Sequence, residues 1–119
     1  MYKRQGLTAG DHNINQSIEI LQKLHEEEPS SIVAAKIGFA YLQKNETNLA
    51  CNYFNEAWVF DQYEPTALYH LSRIRAIQGK KDKAMNYLRR LAQVDGVEDR
   101  AAQLAKMLDI NLENLEAVK

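Results

Sequence analysis

Apolar and polar residues recur along most of the chain at the spacing of amphipathic helices. Ile14, Ile18 and Leu21 return at intervals of three and four residues, which place them on one helix face. Turn-forming residues interrupt this pattern at regular intervals. The pattern predicts helices over about 13–28, 31–44, 47–60, 65–78, 82–94 and 99–108, and a weak final turn or short helix over 110–119.

Residues that begin and end helices support these boundaries. Gly10-Asp11 is expected to close whatever precedes the first helix, and Pro29 to end that helix before a serine cap at Ser30 or Ser31. Pro65 suits the first turn of a helix, where no amide donor is needed, and Gly79 suits a helix end. The sequence therefore predicts an all-α chain of short helices joined by tight turns.

Two stretches of the chain align on each other at a spacing of 34 residues. Residues of the first copy are Ala34, Ile37, Gly38, Tyr41, Ala50, Phe54 and Ala57, and their equivalents in the second are Leu68, Leu71, Ser72, Arg75, Ala84, Leu88 and Leu91. A period of this length that contains two helical patterns is typical of stacked helical hairpins. Such arrays usually offer a surface to a partner.

Over about residues 10–108, this arrangement resembles the tetratricopeptide repeat (TPR) family. Gly38 and Ala50 are small where the paired helices of this family touch, and Phe54 stands where a large residue fills the space between hairpins. One departure is Arg75, which occupies the position of Tyr41 in the preceding copy. The resemblance implies an α-solenoid, a right-handed superhelical array of antiparallel helix-turn-helix repeats closed by a C-terminal capping helix.

The resemblance also divides the chain into units. We expect a partial repeat at 6–30, full repeats at 31–64 and 65–98, and a capping helix with a tail at 99–119. Residues 1–5 match the translation of a transposon-end sequencing adapter, read with GTG as the start codon. We therefore expect 1–5 to be an adapter scar and the natural bacterial chain to be truncated upstream of about Gly6. The alternative is a genuine start at Met1.

TPR geometry implies that the first helix of each hairpin lines a concave groove. The residues expected to project into it are Ile32, Ala35, Phe39, Leu42 and Gln43 from one copy, and Thr66, Tyr69, Arg73, Ala76 and Ile77 from the next. As partner-binding candidates we select Phe39, Gln43, Tyr69, Arg73 and Ile77. Aromatic rings and a forked guanidinium anchor many interfaces, which predicts a scaffold that binds a peptide or a partner protein. The alternative is that these side chains pack against a missing neighbour.

Two other classes of function stay open. The array could be the C-terminal recognition or regulatory module of a larger enzyme or envelope assembly protein. Binding of nucleic acid or another polyanion to a basic segment, opposed only by Asp82, is the less favoured alternative, because a solvated helix face and turn explain this segment better. The basic residues are Arg73, Arg75, Lys80, Lys81, Lys83, Arg89 and Arg90. The net charge of −1 for the whole chain speaks against a nucleic-acid partner.

Catalysis has little support in the sequence. No phosphate-binding glycine loop or metalloprotease motif is present, and His12, His25 and His70 have no partners at metal-ligand spacing. We therefore expect neither enzyme activity nor a cofactor or metal. No run reaches the ~20 apolar residues that span a bilayer, which predicts a soluble protein. The sequence leaves its compartment open between cytoplasm and periplasm. An unpaired N-terminal face with Ile14, Ile18 and Leu21 predicts self-association.

Overall fold

The computed structural model describes residues 9–109, with side chains from residue 13 onward. This part of the chain forms six α-helices and no strand. They are α1 (Ala9–Glu27), α2 (Ser31–Gln43), α3 (Thr47–Phe60), α4 (Pro65–Ile77), α5 (Lys81–Leu91) and α6 (Glu98–Met107). The predicted adapter residues 1–5 and the predicted final turn at 110–119 lie outside the described residues.

The helices pack as a linear series. The most extensive contacts join α2 to α3 and α4 to α5, so each of these pairs is a hairpin. Helix α1 packs on α2, α3 packs on α4, and α6 packs on both α4 and α5. This arrangement is a helical repeat array, which confirms the predicted all-α fold class.

The turn inside each hairpin has the same geometry in both copies. Asn45 and Gly79, which are 34 residues apart, both adopt left-handed backbone conformations, with φ of 63° and 79°. The amide of the following residue reaches back to the first helix in each case, from Glu46 to Tyr41 O at 3.0 Å and from Lys80 to Arg75 O at 2.8 Å. Asparagine and glycine tolerate this conformation best, which explains why the chain reverses at these two points.

Side-chain caps begin the first helix of each hairpin. Ser30 Oγ accepts hydrogen bonds from the amides of Ile32 and Val33. Glu64, 34 residues later, accepts from the amide of Ala67 at 2.8 Å through Oε1. These acceptors satisfy amides that no helical carbonyl can reach. The predicted serine cap is confirmed, and Glu64 is an equivalent cap that the sequence analysis did not identify.

The core repeats with the chain. Every equivalent pair of the aligned copies is buried, apart from the half-buried Tyr41 and Arg75. Gly38 has a steric role, because a Cβ atom built there would lie 2.8 Å from two ring carbons of Phe54. The absence of a side chain at position 38 therefore lets the ring of Phe54 fill the interface of α2 and α3.

Helix α1 differs from its prediction in two ways. It begins at Ala9, so Gly10-Asp11 lies inside the helix and does not close a preceding segment. Its inward face includes Ile18, which is only 5% exposed, with Ile14 and Leu21 half-buried. These three residues were predicted to form an unpaired face, and that prediction is wrong because Ile18 is buried and the other two are half-buried. From residue 13 onward, the large apolar side chains of α1 that are exposed are Ile20 and Leu24.

Candidate functional site

The first helices of successive hairpins, α2 and α4, form one side of the array together with α6, which packs on α4. The candidates on this side differ in exposure. Phe39, Gln43 and Ile77 are exposed, whereas Tyr69 and Arg73 are half-buried. Ala35 was predicted to face the groove, but it is only 2% exposed and belongs to the core. The small side chain of Ala35 belongs to the buried cluster that α2, α3 and α4 form together.

Three aromatic rings surround His70 on this side of the array. The ring of Phe54 stacks on the imidazole with a centroid distance of 5.1 Å, and Phe39 lies at 5.4 Å. Tyr69 meets the same imidazole edge to face at 5.1 Å. His70 therefore connects two of the predicted binding residues, Phe39 and Tyr69, through one continuous aromatic cluster.

Two guanidinium groups approach the ring of Tyr69. The Cζ atoms of Arg73 and Arg100 are each 5.9 Å from the ring centroid. Among the described residues, neither arginine is in an ion pair. The sequence analysis missed Arg100 because it treated 99–119 as a capping region. The period itself could have found it, since Arg100 follows the predicted groove residue Thr66 by 34 positions.

His70 is neutral at physiological pH. Burial, together with the nearby positive charges of Arg73 and Arg100, lowers the pKa of its imidazole from 6.5 to about 4. Its Nδ1 atom is buried and has no hydrogen-bond partner in the described part of the chain. The charge of the site therefore comes from the two arginines, because the aromatic cluster around His70 is neutral.

A pocket of about 330 Å³ extends the site toward the turn between α2 and α3. Its lining combines Arg73, Ile74 and Ile77 of α4 with Leu42 of α2, together with Asn45, Thr47 and Gln78. The structure therefore brings Arg73 and Ile77 together at this pocket, and it brings Phe39 and Tyr69 together at His70. Gln43 lines neither place. Arg73 belongs to both, because it also approaches Tyr69.

The basic segment at 73–90 does not form one surface. Arg73 lines the pocket beside Leu42, whereas Arg75, Lys83 and Arg90 line a different pocket beside Trp58 of α3. No residue is common to the two linings. The segment is therefore divided between two sides of the second hairpin.

Other candidate chemistry finds structural explanations. His25 Nδ1 accepts from the amide of Ser30 at 3.2 Å, and its Nε2 contacts Glu56, so this ring ties α1 to α3. Cys51 is buried, which raises the pKa of its thiol. Over residues 9–109 no cluster of three metal-ligating side chains occurs. Within the same range no helix has the length and apolar character needed to cross a membrane.

Comparison with known proteins agrees with this architecture. A family model described as "Tetratricopeptide repeat" matches residues 65–96, the segment that contains α4 and α5. No curated protein matches the chain.

Proposed function

We propose, starting from the match of residues 65–96 to the tetratricopeptide repeat model, that the chain binds a peptide with an acidic side chain or terminus in the groove of α2, α4 and α6. Repeats of this family act generally as non-catalytic modules of protein–protein interaction. The observation that carries the finer proposal is that the guanidinium groups of Arg73 and Arg100 both approach the ring of Tyr69.

The two guanidinium groups are suited to a carboxylate. Each presents planar donors that match the two oxygens of a carboxylate, and neither has an acidic partner in the described structure. Both cations contact the half-buried ring of Tyr69, and this contact reduces the freedom that they lose when a ligand binds. A carboxylate over this ring would accept hydrogen bonds from both arginines.

Apolar surface beside the arginines supplies the second half of the proposed site. Phe39 is 42% exposed and Ile77 is 78% exposed, so both offer apolar surface to a ligand. Ile77 and Leu42 line the 330 Å³ pocket with Arg73, so an apolar ligand residue there would lie close to the proposed carboxylate site. We propose that the peptide combines an acidic group with an apolar or aromatic residue nearby.

A selection from a random peptide library tests this proposal without a known partner. The unmodified protein should enrich peptides that carry aspartate, glutamate or a free C-terminal carboxylate near an apolar residue. The double variant Arg73→Glu/Arg100→Glu should enrich basic peptides, because reversing the charge of the site reverses its preference.

The matched control is Lys81→Glu/Arg89→Glu, which makes the same change of charge on α5, away from the groove lining. Its selected peptides should stay acidic. An unchanged acidic preference in the groove variant, or an equal reversal in the control, would show that the groove arginines do not choose the ligand.

A further inference from the structure

Two equivalent places along the array differ in their polar side chains. One lies where α1 packs on the first hairpin, and the other lies where the first hairpin packs on the second. In the first junction, which we define by Gln22, Tyr41 and Tyr53, the two tyrosine rings stack with a centroid distance of 5.6 Å. The Nε2 group of Gln22 donates to both phenol oxygens at 3.1 Å. This junction satisfies its own polar groups and packs its rings against each other.

The second junction is defined by the residues 34 positions later, Glu56, Arg75 and Tyr87. Glu56 contacts His25 of α1, so its carboxylate does not neutralise Arg75. Arg75 donates from Nη1 to Gln78 at 2.9 Å, while its Nε is buried and has no acceptor in the described part of the chain. The exchange of a tyrosine for an arginine therefore places a cation where the first junction has a stacked ring.

A pocket of about 270 Å³ lies at the second junction. Its lining contains three cations and no carboxylate, and the residues are Trp58, Arg75, Lys83, Asn86, Tyr87 and Arg90. The indole Nε1 of Trp58 is buried without an acceptor among the described residues. The lining of this pocket therefore carries positive charge with no carboxylate, and it includes two buried donors, Trp58 Nε1 and Arg75 Nε, that have no acceptor in the described structure.

A second pocket adjoins the first along α5. It has a volume of about 350 Å³ and shares Asn86 and Arg90 with its neighbour, to which it adds Tyr63, Arg89 and Gln93. Its lining is likewise free of carboxylates. Arg90 stands between the two pockets and could bond anionic groups in both.

We propose that these two pockets form a binding site for a ligand with two linked phosphate groups, separate from the peptide groove. Phosphate oxygens accept hydrogen bonds from several cations at once, which suits Arg75, Lys83 and Arg90. The shared position of Arg90 favours two phosphates joined to each other over a single one.

The aromatic residues of the pocket favour phosphate recognition over the reading of nucleic-acid bases. The guanidinium of Arg90 lies over the ring of Trp58 at 5.6 Å, and Tyr87 meets that ring edge to face at 6.0 Å. A base would need an open ring face on which to stack. Trp58 instead holds Arg90 in place at the boundary of the two pockets.

Calorimetric titration with pyrophosphate at low salt tests the proposal on the full chain. We expect saturable binding of one pyrophosphate per chain, tighter than that of inorganic phosphate or sulfate. Lys83→Gln should weaken it about tenfold, because it removes one charged donor from the pocket. Lys81→Gln removes the same charge two residues away, at an exposed position outside both linings, and should change the affinity less than about twofold.

Arg75→Tyr installs the residue of the first junction and should abolish pyrophosphate binding while the circular dichroism of the helices is retained. Arg90→Gln tests the shared position independently and should reduce the preference for pyrophosphate over phosphate. Binding of ADP as tight as that of pyrophosphate would identify a nucleotide as the source of the diphosphate and support the proposal.

Three results would overturn it. One is the absence of saturable pyrophosphate binding, and another is an equal loss of affinity in Lys83→Gln and Lys81→Gln. The third is tight binding of a single-stranded RNA oligonucleotide by a protein that does not bind pyrophosphate, since this would assign the basic surface to nucleic acid. The groove variants at Arg73 and Arg100 should leave pyrophosphate affinity unchanged, so failure of this proposal is distinguishable from failure of the peptide site.

Discussion

The first and second junctions share a backbone plan and differ in the side chains that occupy it. The turns at Asn45 and Gly79 have the same hydrogen bonds, and Phe54 and Leu88 are both fully buried at equivalent positions. In the first junction the rings of Tyr41 and Tyr53 stack on each other, whereas in the second Arg75 lines a pocket. Repetition therefore maintains the helix packing, while single substitutions at equivalent positions create different surfaces.

The same contrast exists on the groove side. Position 36 of the first copy holds an exposed lysine, and the equivalent position 70 of the second holds a buried histidine. A lysine in water costs the fold nothing, but a buried imidazole must stay neutral. At these two pairs of equivalent positions, the second copy has Arg75 and His70 where the first copy has Tyr41 and the solvated Lys36.

The largest expected effect comes from the protonation of His70. Its folded-state pKa of about 4 lies below the ordinary value of 6.5, so the unfolded chain binds the proton first as the pH falls. The buried neutral imidazole contributes fully to stability above pH 6.5. As the pH falls from 6.5 to about 4, the free energy of unfolding decreases by up to about 3 kcal/mol. Urea unfolding of the protein and of His70→Leu at several pH values measures this loss.

Leucine is the matched replacement, because Leu104 occupies the equivalent position on α6 and is fully buried. His70→Leu should remove the part of the pH dependence that lies between 4 and 6.5. Parallel stability curves for the two proteins would show that His70 does not couple folding to pH.

The next effect concerns the exchange of Gly38 and Phe54 for the residues of the second copy. Gly38→Ser should reduce the free energy of unfolding by about 2 kcal/mol, because the new Cβ overlaps the ring of Phe54. Adding Phe54→Leu should restore part of this loss, since the pair then matches Ser72 and Leu88. Chemical unfolding of the two single variants and the double variant gives the coupling energy, and strict additivity would contradict the steric explanation.

A reciprocal exchange tests the junctions directly. Tyr41→Arg should destabilise the array by about 1–2 kcal/mol, because it removes the ring stack on Tyr53 and one acceptor of Gln22. Arg75→Tyr should leave stability unchanged or slightly raised, because it removes a buried guanidinium nitrogen that has no acceptor in the described structure. Equal losses in both variants, measured by thermal unfolding, would mean that the two junctions are energetically alike.

The smallest expected effect is self-association through α1. Ile20 and Leu24 lie one turn apart and are 68% and 46% exposed. A pair of side chains this small supports only a weak dimer, which we expect at high protein concentration. Sedimentation equilibrium should show weaker association for Ile20→Lys/Leu24→Lys, and association that is unaffected by this change would place any contact elsewhere.

Most of the fold could be predicted from the sequence because local signals agree with the period. Ser30, Pro65 and Gly79 mark helix boundaries by chemistry that acts within a few residues, and α3 begins and ends where the pattern indicates. The start of α1 was wrong because a glycine and an aspartate were read as a break. Helix α1 continues through both residues, so their low helix propensity does not end it there. The division into repeat units stays a prediction.

The candidate site was harder to predict because it depends on distances between helices. Tyr69 and Arg73 share one helix, and their spacing could indicate that they are neighbours. Arg100 reaches the same ring only because α6 packs on α4, which no local pattern shows. The pocket at the second junction was missed for a related reason. Arg75 was noted as a departure from the family pattern, but the lack of a carboxylate in the lining depends on where Glu56 makes its contact.

Our claim that the groove of α2, α4 and α6 binds an acidic peptide can be tested by NMR spectroscopy, which locates the bound ligand on the protein. Titration of a selected acidic peptide into the ¹⁵N-labelled protein should shift the resonances of Tyr69, Arg73 and Arg100, and it should leave those of Lys83 and Asn86 on α5 unchanged. Shifts confined to α3 and α5, with no change around Tyr69, would contradict the claim and assign peptide binding to the opposite helices of the hairpins.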